Sequence, residues 1–221
     1  MDKSNAESFG RILFSLTSLQ FVHALLVGWP TGIILATRME LVINEHPCLI
    51  AFFLVLLVVS SVEWMFVQRY CKTESDRPYD PKAFSVATIV GAVILISIWS
   101  AQFEYWNRES GKLFDWRSAI GVVASLLGIG LRASAIATLG PSYNSDIRVA
   151  KHRVNRGIYR LLKHPSELGL VMLGTAIPMV LVSWKTCALA FAILFPISCW
   201  RVVREEKTWN YQAVGENLSL P

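Results

Sequence analysis

Six long apolar runs constrain the fold of this chain more than any other feature of its sequence. A bilayer hydrocarbon core of about 30 Å needs about 20 apolar residues per helix. The 221 residues are 53% hydrophobic and only 17% charged, which is too apolar for an ordinary soluble domain. We therefore predict an all-α, polytopic integral membrane protein with about six transmembrane helices. The predicted spans are Phe9–Ala36, Pro47–Val67, Ala83–Tyr105, Trp116–Leu139, Leu168–Val182 and Thr186–Val203.

The two ends of the chain add detail to this prediction. The first apolar run is long and follows charged residues, so we interpret it as a retained helix and not as a cleavable signal peptide. The last two runs are short and are separated only by residues 183–185, which predicts a C-terminal helical hairpin that tilts little or does not cross fully. We expect one membrane domain over residues 1–221, with N-terminal helices in 1–140 and a distinct C-terminal region in 141–221.

The distribution of Lys and Arg predicts the orientation. In the six-span arrangement these residues concentrate on the side that carries the N-terminus, so both termini are expected to be cytoplasmic. The membrane is the inner membrane if the protein is bacterial and the endoplasmic reticulum if it is eukaryotic. The same bias accounts for the formal charge of +5, so we expect contact with membrane lipids and no nucleic acid. The four cysteines form no C-x-x-C pair, and we predict free thiols and no metal site.

Two polar clusters interrupt the apolar pattern on the predicted cytoplasmic side. The first is the basic stretch Lys151–Gly169, and the second closes the last helix with Arg201, Arg204, Glu205 and Glu206. Arg201, Arg204 and Glu205 share one helical face because they are three and four residues apart. If the clusters meet, they supply cations, carboxylates and an apolar surround, which suits a small zwitterionic molecule beside lipid.

Other polar and small residues lie within the predicted spans. Gly121, Ser125 and Gly128 form a small-residue stripe that favours close approach of another helix. Glu63 and Arg132 are intramembrane charges, which indicates either a functional role or side chains that snorkel to the nearby cytoplasmic interface. Gln20 and His23, one helical turn apart, are interpreted as interhelical hydrogen-bonding residues, with contact to a substrate as the alternative.

The order of motifs in the C-terminal third resembles that of a known family. Gly157–Tyr159 precedes the segment Lys163–Ser166, Gly169 follows, and Arg204–Glu206 comes after the predicted hairpin. This order is similar to the isoprenylcysteine carboxyl methyltransferase family of membrane methyltransferases. The family pattern places a G-x-Y turn before an Arg-His-Pro-x-Tyr-x-x-Gly-like segment, and a Glu-Glu pair at the end of the last hairpin. The His-Pro and Glu-Glu pairs at this spacing carry the resemblance together.

The resemblance implies a function and a set of site residues. It implies an enzyme that uses S-adenosylmethionine, held at the cytosolic face by residues 141–221, to methylate a lipophilic small molecule or prenylated substrate that enters from the lipid. Arg204 and Glu167 are the implied catalytic residues. The implied cofactor-binding residues are Val154, Gly157, Tyr159, Lys163, His164 and Glu205. A sulfonium donor with a zwitterionic tail needs carboxylate acceptors, a cationic clamp and an aromatic face, and Tyr159 is a candidate for that face.

The chain departs from the family pattern at several positions. Lys163 stands in place of arginine, which keeps the charge and loses the bidentate geometry. Glu167 stands in place of tyrosine; it either contacts the acceptor or complements the helix dipole. The upstream histidine of the family aligns with Lys151, and the aromatic tail is shortened. With these departures, methyl transfer is still the expected reaction. A prenylcysteine is no longer the necessary acceptor.

Purely structural roles are also open for some of these residues. His164 and Pro165 are also typical of a simple helix N-terminus, and Arg201, Arg204 and Lys207 are also typical of a cytoplasmic anchor. Two other functions stay open at this point. One is a membrane sterol reductase-like oxidoreductase that uses NADPH, although its usual ten or so spans are missing. The other is a non-catalytic membrane scaffold or lipid-binding protein.

Overall fold

A computed structural model describes residues 46–70, 81–108, 114–140 and 155–218. Within these ranges the chain forms five α-helices and one short 3-10 turn, Gly157–Arg160, and contains no strand. The helices are α1 (Pro47–Tyr70), α2 (Pro81–Trp106), α3 (Trp116–Leu139), α4 (Pro165–Val180) and α5 (Trp184–Leu218). The prediction of an all-α protein is confirmed for the described part of the chain. The predicted span Phe9–Ala36, with Gln20 and His23, lies outside it.

The helix bounds follow the apolar runs closely, with one exception. The bounds of α3 agree with the predicted span at both ends, and α1, α2 and α4 agree within a few residues. The last predicted span ends at Val203, whereas α5 itself continues through the polar residues to Leu218. A helix tolerates these Arg, Glu and Lys residues well, so the loss of hydrophobicity at Val203 marks the predicted membrane boundary and not the helix end.

Three of the described helices have segments long and apolar enough to cross a membrane: Thr88–Trp106, Trp116–Leu139 and Trp184–Lys207. At most 33% of each apolar window is buried inside the protein, and large apolar side chains such as Phe103, Val123 and Phe195 are exposed. Such surfaces suit contact with lipid. The apolar segments Pro47–Glu63 and Pro165–Val180 are shorter, so the six-span arrangement stays a prediction.

α3 and α4 form the most extensive contact between described helices, and the small-residue stripe makes it possible. Gly121, Ser125 and Gly128 are all buried. A Cβ atom on Gly121 would lie 2.5 Å from the backbone N of Val180, and one on Gly128 would lie 3.1 Å from the carbonyl O of Gly169. The backbones therefore approach directly, and the predicted role of the stripe in packing is confirmed.

The turn between α4 and α5 is held from the opposite face by α2 and the residues after it. Arg108 donates from Nη2 to the carbonyl oxygens of Leu181 and Val182, at 3.1 and 2.6 Å. Glu104 accepts hydrogen bonds from the backbone N of Thr186 and from its hydroxyl, at 3.2 and 3.1 Å, which satisfies the first turn of α5. These bonds fix the end of the α4–α5 pair that lies away from the polar clusters.

Candidate functional site

The first turn of α4 carries the centre of the site. His164 is the N-cap residue and Pro165 occupies the first helical turn, where a missing N–H costs nothing. The imidazole makes no capping hydrogen bond. It reaches across to α5 instead, with Nδ1 3.3 Å from Oε2 of Glu205 and Nε2 3.3 Å from Oε1 of Glu206. The helix-start interpretation is thus correct for the backbone, while the side chain joins the two polar clusters.

Both carboxylates act on the charge of the imidazole. The hydrogen bond to Glu205 raises the pKa of His164 above the ordinary histidine value of 6.5, and burial opposes that rise while Glu206 adds to it. An imidazolium donates from both ring nitrogens, so it can bond the two carboxylates at once. The side chain of His164 is only 19% exposed, against 39% for Glu205 and 35% for Glu206, so the carboxylates are more accessible from solvent than the imidazole is.

A second bridge between α4 and α5 lies deeper in the structure. Nη1 of Arg201 is 3.2 Å from Oε1 of Glu167, and each side chain is 15% exposed. The other oxygen of Glu167, Oε2, is buried and has no hydrogen-bond partner among the described residues. Glu167 also lies in the first turn of α4, so its charge complements the helix dipole as well. The sequence singled out both residues without predicting that they pair.

The two bridges are stacked along the same helix pair. Glu167 follows His164 by three residues on α4, and Arg201 precedes Glu205 by four on α5. The bridges therefore lie about one helical turn apart, roughly 5 Å along the helix axes. The outer bridge is that of His164, and the inner bridge leads toward the apolar part of the pair.

A third ion pair supports α4 from its other side. Nε of Arg132 on α3 donates to Oε2 of Glu63 on α1 at 3.0 Å, and Nη2 of Arg132 bonds Oε1 of the same carboxylate. Nη1 of Arg132 is 3.4 Å from the hydroxyl of Ser166. The side chains of Arg132 and Glu63 are 12% and 21% exposed, so the pair is largely buried and each charge is compensated by the other.

Both charges were singled out from the sequence, but their pairing was not predicted. Glu63 lies seven residues before Tyr70, the end of α1, and Arg132 lies seven residues before Leu139, the end of α3. Both helices were expected to end on the cytoplasmic side. Two charges of opposite sign at the same distance from the ends of their helices are the signal that predicts a pair.

The remaining predicted site residues occupy the turn before α4 and the end of α5. Gly157 opens the 3-10 turn with φ +56, and a Cβ there would lie 2.8 Å from Oγ1 of Thr138 at the end of α3, so both the backbone angle and the space favour glycine. Tyr159 is half-buried in the turn and Lys163 is exposed. Val154 lies outside the described residues.

Arg204 has an aromatic partner on its own helix. Its guanidinium carbon lies 5.2 Å from the centre of the Trp200 ring, one turn earlier on α5, which is the distance of a cation–π contact. Trp200 is 43% exposed. Arg204 therefore has an aromatic partner on α5, the helix that supplies one side of both bridges.

Comparison with known proteins shows that this part of the chain is similar to a protein family. Residues 119–210 match the model of the isoprenylcysteine carboxyl methyltransferase (ICMT) family, so the matched region begins in α3 and includes both bridges. The chain is 30% identical over 94 residues to protein-S-isoprenylcysteine O-methyltransferase B of Arabidopsis thaliana, which covers 41% of this chain and 45% of the relative. It is 30% identical over 90 residues to protein-S-isoprenylcysteine O-methyltransferase A of the same plant, covering 39% and 43%.

These matches have a defined extent. The aligned region spans less than half the length of the curated relatives, and no solved structure matches the chain. Glu63, Glu104 and Arg108 all lie before residue 119, outside the matched region. The resemblance predicted from the His-Pro and Glu-Glu motifs is confirmed for residues 119–210, which are similar to the isoprenylcysteine carboxyl methyltransferase family.

Proposed function

We propose that this protein is an S-adenosylmethionine-dependent membrane methyltransferase that acts on a lipophilic acceptor. One observation carries the proposal: His164 bridges Glu205 and Glu206 inside the region that matches the methyltransferase family. The contact joins the two motifs that are far apart in sequence and that define the resemblance. A helix cap or a cytoplasmic anchor has no need of this contact.

The residues at the site fit such a methyl donor. S-adenosylmethionine supplies an electrophilic methyl group on a sulfonium, and it carries ammonium, hydroxyl and carboxylate groups. Glu205 and Glu206 offer partly exposed carboxylates for the ammonium and hydroxyl groups. Arg204 and Lys163 supply positive charge for a carboxylate.

We assign roles on this basis. His164 and Glu205 form the centre of the cofactor site, with His164 holding the carboxylates in place. Val154, Gly157, Tyr159 and Lys163 form the rest of the cofactor site. Arg204 and Glu167 face the acceptor and the reacting groups. Direct in-line transfer needs alignment and exclusion of water more than it needs a dedicated acid or base. Two rigid helices that hold polar groups one turn apart are suited to that task.

The location of the site is part of the proposal. The excess of Lys and Arg on one side supports a cytoplasmic site, with both termini on the same side. The exposed apolar faces of α3 and α5 support entry of the acceptor from lipid. The acceptor is a lipophilic small molecule or a prenylated substrate, by likeness to relatives named for isoprenylcysteine.

Binding of S-adenosylhomocysteine by isothermal titration tests the proposal. His164→Ala and Glu205→Gln each remove a polar partner, and the loss of roughly 1 to 3 kcal/mol per hydrogen bond predicts at least about tenfold weaker binding. Glu104→Gln is the matched control, because it alters a carboxylate at the other end of the helix bundle. It is expected to lower stability and leave the affinity unchanged.

The same protein preparation separates the other two functions. A thermal shift with S-adenosylhomocysteine and none with NADPH supports the methyltransferase over the sterol reductase-like oxidoreductase. No shift with either compound supports the scaffold or lipid-binding protein. Equal affinity in both site variants and the wild type contradicts the proposed site.

A further inference from the structure

The inner bridge between α4 and α5 has a polar atom that the fold does not use. One carboxylate oxygen of Glu167 pairs with Arg201. The other oxygen, Oε2, is buried without a hydrogen-bond partner among the described residues. A buried acceptor left unsatisfied destabilises the folded protein, and such atoms are rare in native structures. The arrangement is therefore typical of a binding site in which a ligand supplies the missing hydrogen-bond donor to Oε2.

The position of this oxygen relates it to the methyl acceptor. The inner bridge lies about one helical turn, roughly 5 Å, from His164 and Glu205, which we propose hold the cofactor. Apolar side chains flank it on both helices, since the sequence neighbours Leu168 and Trp200 are 45% and 43% exposed. A lipophilic acceptor placed one helical turn from the cofactor site would lie beside this bridge.

The charge at the inner bridge selects the kind of acceptor. Arg201 is engaged by Glu167, so its positive charge is already compensated, and Oε2 can only accept a hydrogen bond while the carboxylate is ionised. A carboxylate acceptor offers no donor and is repelled by this oxygen at short range. An amine or a hydroxyl offers the missing donor.

We infer that Glu167 is a specificity-determining residue and that the acceptor is a lipophilic amine or alcohol. This inference rests on the proposed function. In the step, a lone pair on the acceptor nitrogen or oxygen forms the bond to the methyl carbon. The bond between that carbon and sulfur breaks, and its electron pair stays on sulfur. The proton of the acceptor passes to Oε2 of Glu167.

Acceptor binding measured without turnover tests the inference. The protein, saturated with S-adenosylhomocysteine in lipid nanodiscs, is titrated with farnesylamine, farnesol and S-farnesylcysteine. The wild type is expected to bind the amine or the alcohol at least about tenfold more tightly than the carboxylate probe, as expected for a hydrogen bond to a charged group. Glu167→Gln is expected to reduce this ratio by about the same factor, and Glu104→Gln is expected to keep it.

A second variant and a second measurement keep the outcomes distinct. Glu167→Tyr removes the charge, and it is expected to shift the preference toward S-farnesylcysteine. Methyl transfer from labelled S-adenosylmethionine to the three probes is expected to follow the same order. The inference is overturned if the wild type and Glu167→Gln show equal ratios, or if the wild type prefers S-farnesylcysteine. If S-adenosylhomocysteine still binds in that case, the proposed function stands. A wild type that does not bind S-adenosylhomocysteine overturns both.

Discussion

Replacing Gly121 by alanine tests whether direct backbone contact between α3 and α4 sets the geometry of the site. The new Cβ would lie 2.5 Å from the backbone N of Val180 and 2.7 Å from the carbonyl C of Met179. These are backbone atoms of a helix, so no side-chain rotation relieves the clash. Ordinary contact begins at 3.4 Å, so α4 has to move away by about 1 Å in an interior that is packed like a crystal.

The energetic cost can be bracketed from general values. Forcing an extra methyl group into a packed interface costs about 1 to 3 kcal/mol, while alanine gains up to about 1 kcal/mol over glycine in a helix. Gly130 lies on the same helix, and a Cβ there meets nothing within 4 Å, so Gly130→Ala keeps the gain without the clash. The two variants are expected to differ by about 1 to 3 kcal/mol in the free energy of unfolding.

Thermal unfolding of the purified protein in detergent measures this difference. Gly130→Ala is expected to unfold at or above the wild-type temperature and Gly121→Ala well below it. Gly128→Ala is expected to fall between them, because its Cβ would lie 3.1 Å from the nearest atoms. A Gly121→Ala variant as stable as Gly130→Ala refutes the reasoning, since it means that the helices are not in direct backbone contact at this position.

Two further predictions concern the charges around α4. The Glu63–Arg132 pair is largely buried, so Glu63→Gln and Arg132→Met are each expected to cost about 3 to 5 kcal/mol of stability. The double variant is expected to lose less than the sum of the two losses. Additive losses in chemical unfolding contradict a direct pair. His164 has a raised pKa, so its contribution to stability is complete below pH 6.5 and is lost as the pH rises through the raised value. The wild type is therefore expected to lose thermal stability relative to His164→Gln over that rise, and parallel pH profiles contradict the bridge.

Hydrophobic periodicity and length were enough to predict the helices. The bounds of α3 could be predicted at both ends because Asp115 caps it and Gly140 ends it, and both residue types are typical of those positions. The end of α5 could not be predicted from hydrophobicity. The helix continues past Val203 because its polar residues favour helix as well as they favour water, and only their tertiary contacts hold them in place.

The sequence was enough to predict which residues belong to the site, but not which of them contact each other. His164 and Glu205 were both predicted as cofactor-binding residues on one side of the membrane, where their two clusters could meet. The partner of Glu167 was not predicted, because the relative rotation of α4 and α5 decides which of Arg201 and Arg204 faces it. That rotation depends on the packing of α3 against α4 through Gly121 and Gly128, which sequence spacing does not specify.

The helices before the matched region complete its polar interactions at both ends. Arg132 belongs to residues 119–210, but its carboxylate partner Glu63 does not. At the opposite end, Arg108 and Glu104 satisfy carbonyl and N–H groups of the turn between α4 and α5, and both precede residue 119. Without these partners, a buried guanidinium and the end of a helix pair are left unsatisfied, at a cost of about 1 to 3 kcal/mol for each group and more for the charge. These contacts support our proposal of a single membrane domain, in which α1 and α2 hold the methyltransferase-like helices in the geometry that brings His164 to Glu205.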